Sequence, residues 1–337
     1  MEDLSTISIQ FFRKVASLIA AVLLLAIFVI CFEVYVPVNL GSNEKIDFVV
    51  QKGWGEKEIA SNLEEAKIIR SSYFFKFYAV ISLKNFQLQA GEYNLSPKMS
   101  IYEIANKIAN GDVVKDNAVI PEGWNEKDIG KYLEAKGICT QSYFNSLIKK
   151  DYSANFDFLA DKPKSADLEG YLFPDTYEIG KGETCDDIVN AMLTNFGQKL
   201  TPELRTEIKK QNKTIFHIVT MASMIEKEVK TLSYKKIVSG ILWKRIAIGM
   251  PLQLDATIVY ITGNPIVYIK DTQINSPYNT YKYYGLPKGP ISNPGAESIT
   301  AAIYPTQTNY LYYLTDGTIH FSETLEQHNA AKAKYLQ

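Results

Sequence analysis

The sequence has almost no excess of charge of either sign. It contains 36 basic and 37 acidic residues in 337, for a formal net charge of -1. A chain that binds DNA or RNA through phosphates carries a basic patch or stripe, and neither this feature nor an acidic tail is present. The composition therefore argues against a nucleic-acid partner.

Cysteine and histidine are also scarce, with three residues of each. Their spacing matches neither a zinc site nor a disulfide scaffold, and there is no H-E-x-x-H segment. Cys139 and Cys185 fit either a disulfide or two buried thiols. Ser223 lacks the Gly-x-Ser-x-Gly elbow of serine hydrolases. We therefore predict no metal and no cofactor.

One long apolar run stands near the amino terminus. Val15 to Phe32 carries no charge and is long enough to cross a bilayer. A cleaved signal peptide would end in a small-x-small site, which does not follow here. We predict an uncleaved transmembrane helix at residues 15–34.

The charges beside this run predict its orientation. Arg13 and Lys14 precede it, whereas the first stretch after it has only Lys45. Cytoplasmic flanks are enriched in basic residues. Residues 1–14 are therefore predicted to be a cytoplasmic tail of a single-pass protein in the cytoplasmic (inner) membrane, with the rest of the chain outside.

The chain after the apolar run contains an internal repeat. The recurring segments are Gly53-Trp54 with Gly123-Trp124, and Ser72-Tyr73-Phe74 with Ser142-Tyr143-Phe144. Each copy begins with a β-branched strand, at Phe48 to Val50 and at Ala118 to Ile120, and continues through a glycine turn into a helix. The later parts correspond at a larger offset, so the second copy is longer.

The first copy is predicted to form a small βα module at residues 45–114. Ser100 and Glu103 form a capping-box pattern, and the helix that they open should stop near Gly111. The module resembles a LysM-type glycan-binding module, although Trp54 stands where such modules usually carry an acidic residue. An ordinary spacer that lifts the rest of the chain off the membrane is the alternative.

Residues 115–337 are predicted to form a second, larger domain, and the fold class is α+β. Residues 115–200 carry the second copy, and residues 201–337 begin with helices. Thr201 and Pro202 suit a helix start, and further helices are expected at about Thr214 to Val229 and after Ser233. Loops rich in proline, glycine and tyrosine then precede short β-prone runs such as Tyr310 to Leu314.

One glutamate falls on the apolar face of the predicted helix at Thr214 to Val229. At about 100° per residue, Glu226 lies close to Ala222 and inside the apolar stripe. Glu228 falls on the other side, where a solvated glutamate is expected. An inward carboxylate is costly unless it is paired or protonated. Helical phase alone thus allows a proton donor or a structural strut paired with Lys or Arg, and favours the strut.

Ordered segments of the chain resemble one family, the MltG (YceG-like) endolytic lytic transglycosylases. The segments are Glu169 to Tyr177, Ala222 to Glu228, Gly249 to Gln253, Tyr278 to Tyr281, Gly285 to Pro287, Gly289 to Ile291, Asn293 to Gly295, His320-Phe321 and His328-Asn329. They keep the family's order over nearly the whole chain. Leu254, Ala256 and Lys288 depart from the family pattern.

This resemblance implies an enzyme that cleaves the MurNAc-GlcNAc β-1,4 bond inside peptidoglycan strands and leaves 1,6-anhydro-MurNAc ends. It implies Glu226 as the acid/base, and one carboxylate can suffice because the sugar supplies its own nucleophile. Peptidoglycan synthases or divisome or elongasome proteins are the expected partners. A hydrolytic muramidase and a non-catalytic, membrane-tethered peptidoglycan-binding scaffold are the alternatives.

Amide, carboxylate and tyrosine side chains near the family-like loops are candidates for binding sugar. The candidates are Gln253, Asp255, Tyr278, Asn279, Thr280 and Tyr281. Amides and hydroxyls suit sugar hydroxyls and acetamido groups, and tyrosine rings stack on sugar faces. Alternatively, Asp255 only caps a helix and the proline- and glycine-rich loop only turns the chain. If Asp255 faced the acid across a cleft, hydrolysis would become the better interpretation.

Overall fold

The structure is a computed structural model that describes residues 4–42, 44–82, 88–180 and 183–336. The helices are α1 (Leu4–Tyr35), α2 (Glu56–Glu65), α3 (Ser72–Ser82), α4 (Ile101–Ala109), α5 (Glu126–Ala135), α6 (Gln141–Leu147), α7 (Cys185–Lys199), α8 (Pro202–Lys210), α9 (Ile215–Glu228), α10 (Leu232–Ala247), α11 (Asp255–Thr262), α12 (Ala296–Ile303) and α13 (Leu325–Tyr335). The strands are β1 (Ile46–Val50), β2 (Gly91–Leu95), β3 (Lys115–Val119), β4 (Thr176–Gly180), β5 (Tyr312–Thr315) and β6 (Ile319–Ser322). They pair as β1-β2, β3-β4 and β5-β6, and the predicted α+β class is confirmed.

Helix α1 contains the predicted apolar segment. The part suited to crossing a membrane is Arg13–Tyr35, with a mean hydropathy of 3.1 and no residue of its most apolar stretch buried. A helix of this composition is consistent with a membrane anchor. Its orientation stays a prediction.

The chain divides into two compact units, Met1–Asp116 with Glu178–Gly182, and Asn117–Tyr177 with Glu183–Gln337. In the first unit, β1 and β2 are antiparallel, with Phe48 opposite Tyr93. Helices α2, α3 and α4 pack around a core that includes Leu63, Phe75 and Ile104. Each large apolar side chain so buried contributes about 1.5–3 kcal/mol to stability.

The predicted repeat appears as the same order of elements in two copies. The first copy is β1-α2-α3-β2-α4 and the second is β3-α5-α6-β4-α7, with a 3₁₀ turn at Asp157–Leu159 between α6 and β4. Strand-helix-helix-strand order fits the predicted LysM-like module, which stays a prediction. The capping box is confirmed, because Ser100 Oγ accepts the Glu103 amide hydrogen bond and Glu103 Oε2 accepts that of Ser100.

The second unit places α9 at its centre. Thr214 caps α9 through its Oγ1, and Thr201 and Pro202 begin α8 as predicted. Helices α10, α11 and α12 pack against α9, so Phe216 and all residues from Ile218 to Ile225 are buried. Cys139 and Cys185, left open by the sequence, form a disulfide with a Cα–Cα distance of 5.7 Å.

Candidate active site

The carboxyl end of α9 opens onto a polar cavity of about 450 Å³. Its walls come from α9, α10, the loop before α11, the β5-β6 hairpin and α13. The lining residues are Glu228, Val229, Arg245, Leu252, Gln253, Leu254, Asp255, Tyr281, Tyr312, Tyr313, Leu314, Thr315, Ile319, Leu325, His328 and Lys332. A cavity of this size lies within the range that holds small ligands.

Glu228 is the acidic group of α9 in this cavity. Its surroundings are largely desolvated, and desolvation raises the pKa of Glu228 from 4.5 to about 7. Tyr313 and Arg245 oppose this rise, whereas the negative charge of Asp255 adds to it. The expectation that Glu228 is an ordinary solvated glutamate is therefore wrong. A carboxyl group with a pKa near neutrality can serve as both acid and base.

The hairpin supplies the direct partner of Glu228. The Tyr313 hydroxyl donates a hydrogen bond of 2.9 Å to Glu228 Oε2. Burial and the neighbouring Glu228 raise the pKa of Tyr313 well above its usual value, so the phenol keeps its proton and acts as the donor. Tyr313 thus stabilises the ionised form of Glu228.

Arg245 closes the cavity from α10. Its Nε donates to Leu311 O at 2.7 Å and its Nη1 donates to Leu252 O at 2.7 Å. The guanidinium carbon lies 5.2 Å from the centroid of the Tyr312 ring. The backbone bonds fix the two loops that form the walls, while the positive charge lies close enough to Glu228 to lower its pKa.

Three of the six predicted sugar-binding residues line the cavity: Gln253, Asp255 and Tyr281. The Tyr281 hydroxyl donates to Asp255 Oδ1 at 2.5 Å, which orients this carboxylate at the start of α11. Gln253 has a φ of 54°, in the left-handed region that is uncommon for residues other than glycine. Such backbone positions cluster at binding sites.

Asn279 and Thr280 do not line the cavity. Both side chains are buried, at 0% and 1% exposure, so neither can contact a ligand in this conformation. Asn279 Nδ2 donates to Thr272 O and Ile274 O, and Thr280 Oγ1 accepts from the Leu254 amide. The predicted direct contact with sugar is corrected for these two residues, which instead hold the loop that presents Tyr281 and Gln253.

Tyr278 also lies outside the cavity wall. Its ring packs on Tyr260 with centroids 5.0 Å apart. Near this pair lies the buried Glu169, whose carboxylate accepts the Glu126 amide hydrogen bond at the start of α5 and the Asn293 side-chain amide. Burial raises the pKa of Glu169 well above its usual value, and raises that of Glu126 to about 7. Tyr278 belongs to the surroundings of this carboxyl pair.

Glu226 faces inward, as the helical phase predicted, with 8% of its side chain exposed. It does not line the cavity. The side chain of Lys235 is 2% exposed, and its Nζ lies 3.2 Å from Glu226 Oε1. The Gly295 amide and the Ser298 hydroxyl donate to Glu226 Oε2 at 3.0 and 2.6 Å. The carboxylate therefore joins α9 to α10 and to the amino terminus of α12, as the strut interpretation requires.

Two further acidic groups border the Glu226–Lys235 pair. Glu297 Oε2 lies 4.0 Å from Lys235 Nζ. Partial burial, followed by the charge of Glu226, raises the pKa of Glu122. Within residues 4–42, 44–82, 88–180 and 183–336, no three or more His, Cys, Asp or Glu side chains gather as a metal site would require.

Sequence reasoning missed Glu228, Tyr313 and Arg245. The prediction from helical phase assumed that α9 has one buried stripe, but tertiary contacts cover this helix on nearly every side. Glu228 and Tyr313 are 85 residues apart. The only sequence signal for Glu228 was its place in the family-like segment Ala222 to Glu228.

An α+β protein with a titratable carboxyl group in a polar, tyrosine-lined cavity has the features of an enzyme that acts on a polar ligand. The YceG-like family matches residues 48–334. The chain therefore belongs to the YceG-like family.

This chain is similar over most of its length to proteins with assigned names. The endolytic murein transglycosylase of Bacillus subtilis (strain 168) is 32% identical over 317 residues, covering 89% of this chain and 87% of the relative. The protein of the same name from Streptococcus pneumoniae serotype 2 is 29% identical over 334 residues, covering 89% of this chain and 60% of the longer relative. A crystal structure of a YceG-like protein from Listeria monocytogenes has a TM-score of 0.59 and 32% identity, and the match covers 86% of this chain and 100% of that one.

Proposed function

We propose that this chain is an endolytic murein transglycosylase, an activity in the lyase class, with peptidoglycan glycan strands as its substrate. The names of its relatives support this activity. For the acid/base we propose Glu228, because it lines the polar cavity and its pKa of about 7 fits a group that must both donate and accept a proton near neutral pH. Glu226, which the family resemblance implies, is the alternative acid/base.

The proposed reaction needs only this carboxyl group and the substrate. Glu228 donates its proton to the oxygen that joins C1 of MurNAc to GlcNAc, and the bond to C1 breaks. The MurNAc C6 hydroxyl then bonds to C1 and returns its proton to the Glu228 carboxylate. The products are a 1,6-anhydro-MurNAc end and a free GlcNAc hydroxyl, and no water is consumed. An intramolecular nucleophile has a high effective molarity, so a second carboxylate is not required.

Asp255 supports the second candidate reaction, hydrolysis. It lines the same cavity as Glu228, and two carboxyl groups on a glycosidic bond are the usual arrangement of glycosidases. Mass analysis of digested glycan strands separates the two reactions. We expect anhydro ends, and reducing ends in their place would assign hydrolysis.

The acid/base role is assigned by a matched pair of substitutions on α9. Glu228→Gln should lower glycan cleavage by roughly 10²–10⁴-fold, the usual contribution of a general acid/base. Glu226→Gln keeps hydrogen bonding to Ser298 and the Gly295 amide, so we expect it to retain activity and to lose thermal stability. Both variants are assayed on purified glycan strands after thermal unfolding shows that they are folded.

Three other results would contradict the proposal. If Glu226→Gln abolishes cleavage in a folded protein while Glu228→Gln remains active, the role belongs to Glu226, as the sequence predicted. If both variants cleave glycan like the wild type, neither glutamate is the acid/base. A wild-type protein that binds strands without cleaving them would support the scaffold alternative.

We further propose that α1 anchors the chain in the cytoplasmic membrane, with its amino terminus inside and the catalytic unit outside. Arg13 and Lys14 before the apolar segment support this orientation. The strand-helix-helix-strand order at residues 45–114 supports a LysM-like module that binds glycan. Peptidoglycan synthases and divisome or elongasome proteins are the proposed protein partners.

A further inference from the structure

Helix α3 in the first unit has an apolar face that the structure leaves uncovered. Tyr73 is 79% exposed, Phe77 44%, Val80 61% and Ile81 54%. Their spacing places all four on one side of a helix. The opposite side, with Phe75, Tyr78 and Ala79, is buried in the core, so α3 is apolar on both sides. A helix that is apolar all round lies in a protein interior or in lipid.

The repeat shows that the fold does not require this exposed face. Helix α6 occupies the same place in the second copy as α3 does in the first. Its exposed residues are Ser142, Tyr143, Asn145 and Ser146, of which only the tyrosine is partly apolar. The apolar surface is therefore a property of α3 and its surroundings.

The end of the apolar helix α1 packs directly against this module. Val34 is 3% exposed within the module's core, and Ile30 packs against the same core. Arg70, just before α3, donates a hydrogen bond of 2.8 Å to Val36 O and also bonds to Pro37 O. Its guanidinium lies 5.1 Å from the centroid of the Phe32 ring. These contacts fix α3 beside the last turns of α1.

The length of α1 shows where those turns lie in a membrane. A hydrocarbon core of about 30 Å takes about 20 helical residues, at about 1.5 Å each. Counted from Arg13 and Lys14 at one boundary, the other boundary falls near Val34, the residue buried against the module. Helix α3 is thus held at the level of the lipid headgroups, where tyrosine and other aromatic side chains are enriched.

We propose that the exposed face of α3 inserts into the lipid headgroup region and seats the first unit on the membrane. The described residues of α3 include no acidic side chain, and its one charged residue, Lys76, suits anionic headgroups. Interfacial helices bury their apolar face roughly 5–10 Å below the headgroup boundary. This inference rests on the proposed membrane anchor.

The test measures the depth of nitroxide labels by their accessibility to oxygen and to a water-soluble nickel chelate. The full chain carries Cys31→Ser, with a single label introduced through Phe77→Cys, Val80→Cys, Leu24→Cys or Glu65→Cys, in vesicles of phosphatidylethanolamine and phosphatidylglycerol. Leu24 lies within α1 and reports the anchor alone, whereas Glu65 ends the charged helix α2 and is the control for an exposed position of the same unit.

We expect the labels at residues 77 and 80 to favour oxygen over the nickel chelate and to lie within the headgroup region, while the label at residue 65 remains aqueous. If residue 24 is deep but residues 77 and 80 match residue 65, the α3 proposal is overturned and the anchor stands. Labels at 77 and 80 that are shielded from both reagents would also overturn it, because a protein partner or second copy then covers the face. An aqueous label at residue 24 would overturn the anchor itself.

Discussion

Replacing Tyr313 with Phe removes one hydroxyl group from the cavity and leaves the aromatic ring in place. In the wild type this hydroxyl donates a hydrogen bond of 2.9 Å to Glu228 and so lowers the pKa of that carboxyl group, against the larger opposing effect of desolvation. The variant loses the stabilisation of the ionised form. We therefore expect the pKa of Glu228 to rise above its wild-type value of about 7.

The expected rise in the pKa of Glu228 follows from the free energy of the hydrogen bond that Tyr313→Phe removes. A hydrogen bond to an ionised group contributes about 1.5–3 kcal/mol, and about 1.4 kcal/mol corresponds to one pKa unit. Complete loss would raise the pKa by roughly one to two units. Water that enters the space left by the hydroxyl replaces part of the bond, so we expect a rise of about one unit.

The measurement is the pH dependence of kcat/KM for glycan cleavage. Free enzyme with protonated Glu228 starts the reaction, so kcat/KM falls as pH rises through the pKa of Glu228. This alkaline limb should lie near pH 7 in the wild type and move upward in Tyr313→Phe. Tyr312→Phe is the matched control, because Tyr312 lines the same cavity but stacks on His328. An unchanged limb in Tyr313→Phe, or an equal shift in the control, would refute the acid/base role of Glu228.

Three further outcomes can be checked by unfolding experiments. The pKa of Glu228 rises on folding, so the wild type should lose up to about 3 kcal/mol of unfolding free energy as pH rises from about 4.5 to about 7. Glu228→Gln cannot ionise at this position and should become the more stable protein above pH 7. Denaturant titrations in which the two proteins show the same dependence of unfolding free energy on pH would contradict this. Lys235→Met leaves the buried Glu226 carboxylate without its cation and should lower the free energy of unfolding by roughly 3–5 kcal/mol. The control is Lys210→Met, because the Lys210 side chain is 78% exposed in its pair with Glu207, and similar losses in both variants would show that the Glu226–Lys235 pair has no special structural role. The Cys139–Cys185 disulfide links residues 46 positions apart, and its reduction should lower the free energy of unfolding by about 4 kcal/mol. A Tm that does not change on reduction would argue that the segments around Cys139 and Cys185 remain ordered without the disulfide.

Local patterns in the sequence predicted much of the fold. The apolar run at residues 15–34, the capping box at Ser100 and Glu103, and the start of α8 at Thr201 and Pro202 each depend on residues close together in the chain. Residue spacing decides such features, because helix caps and membrane spans form within a few turns of backbone. The repeat could be predicted for the same reason, since both copies reuse one local pattern.

The site could be predicted only in part. The family-like segments led to Gln253, Asp255 and Tyr281, which do line the cavity. Asn279 and Thr280 have the same chemical character, but the backbone groups that they bind lie in other turns, and burial there removes them from the cavity. Side-chain chemistry indicates what a residue can bind, whereas its accessibility depends on the surrounding fold.

The sequence by itself determined that the chain has an apolar amino-terminal helix, two copies of a strand-turn-helix pattern and an α9 segment with two glutamates. Only the tertiary structure showed which groups surround each of those glutamates. Glu226 meets Lys235 and the start of α12, while Glu228 meets Tyr313 and a cavity. The helix is buried nearly all round, so its own periodicity cannot distinguish the two faces. Desolvation and the charges that distant segments bring to Glu228 set the pKa of that carboxyl group.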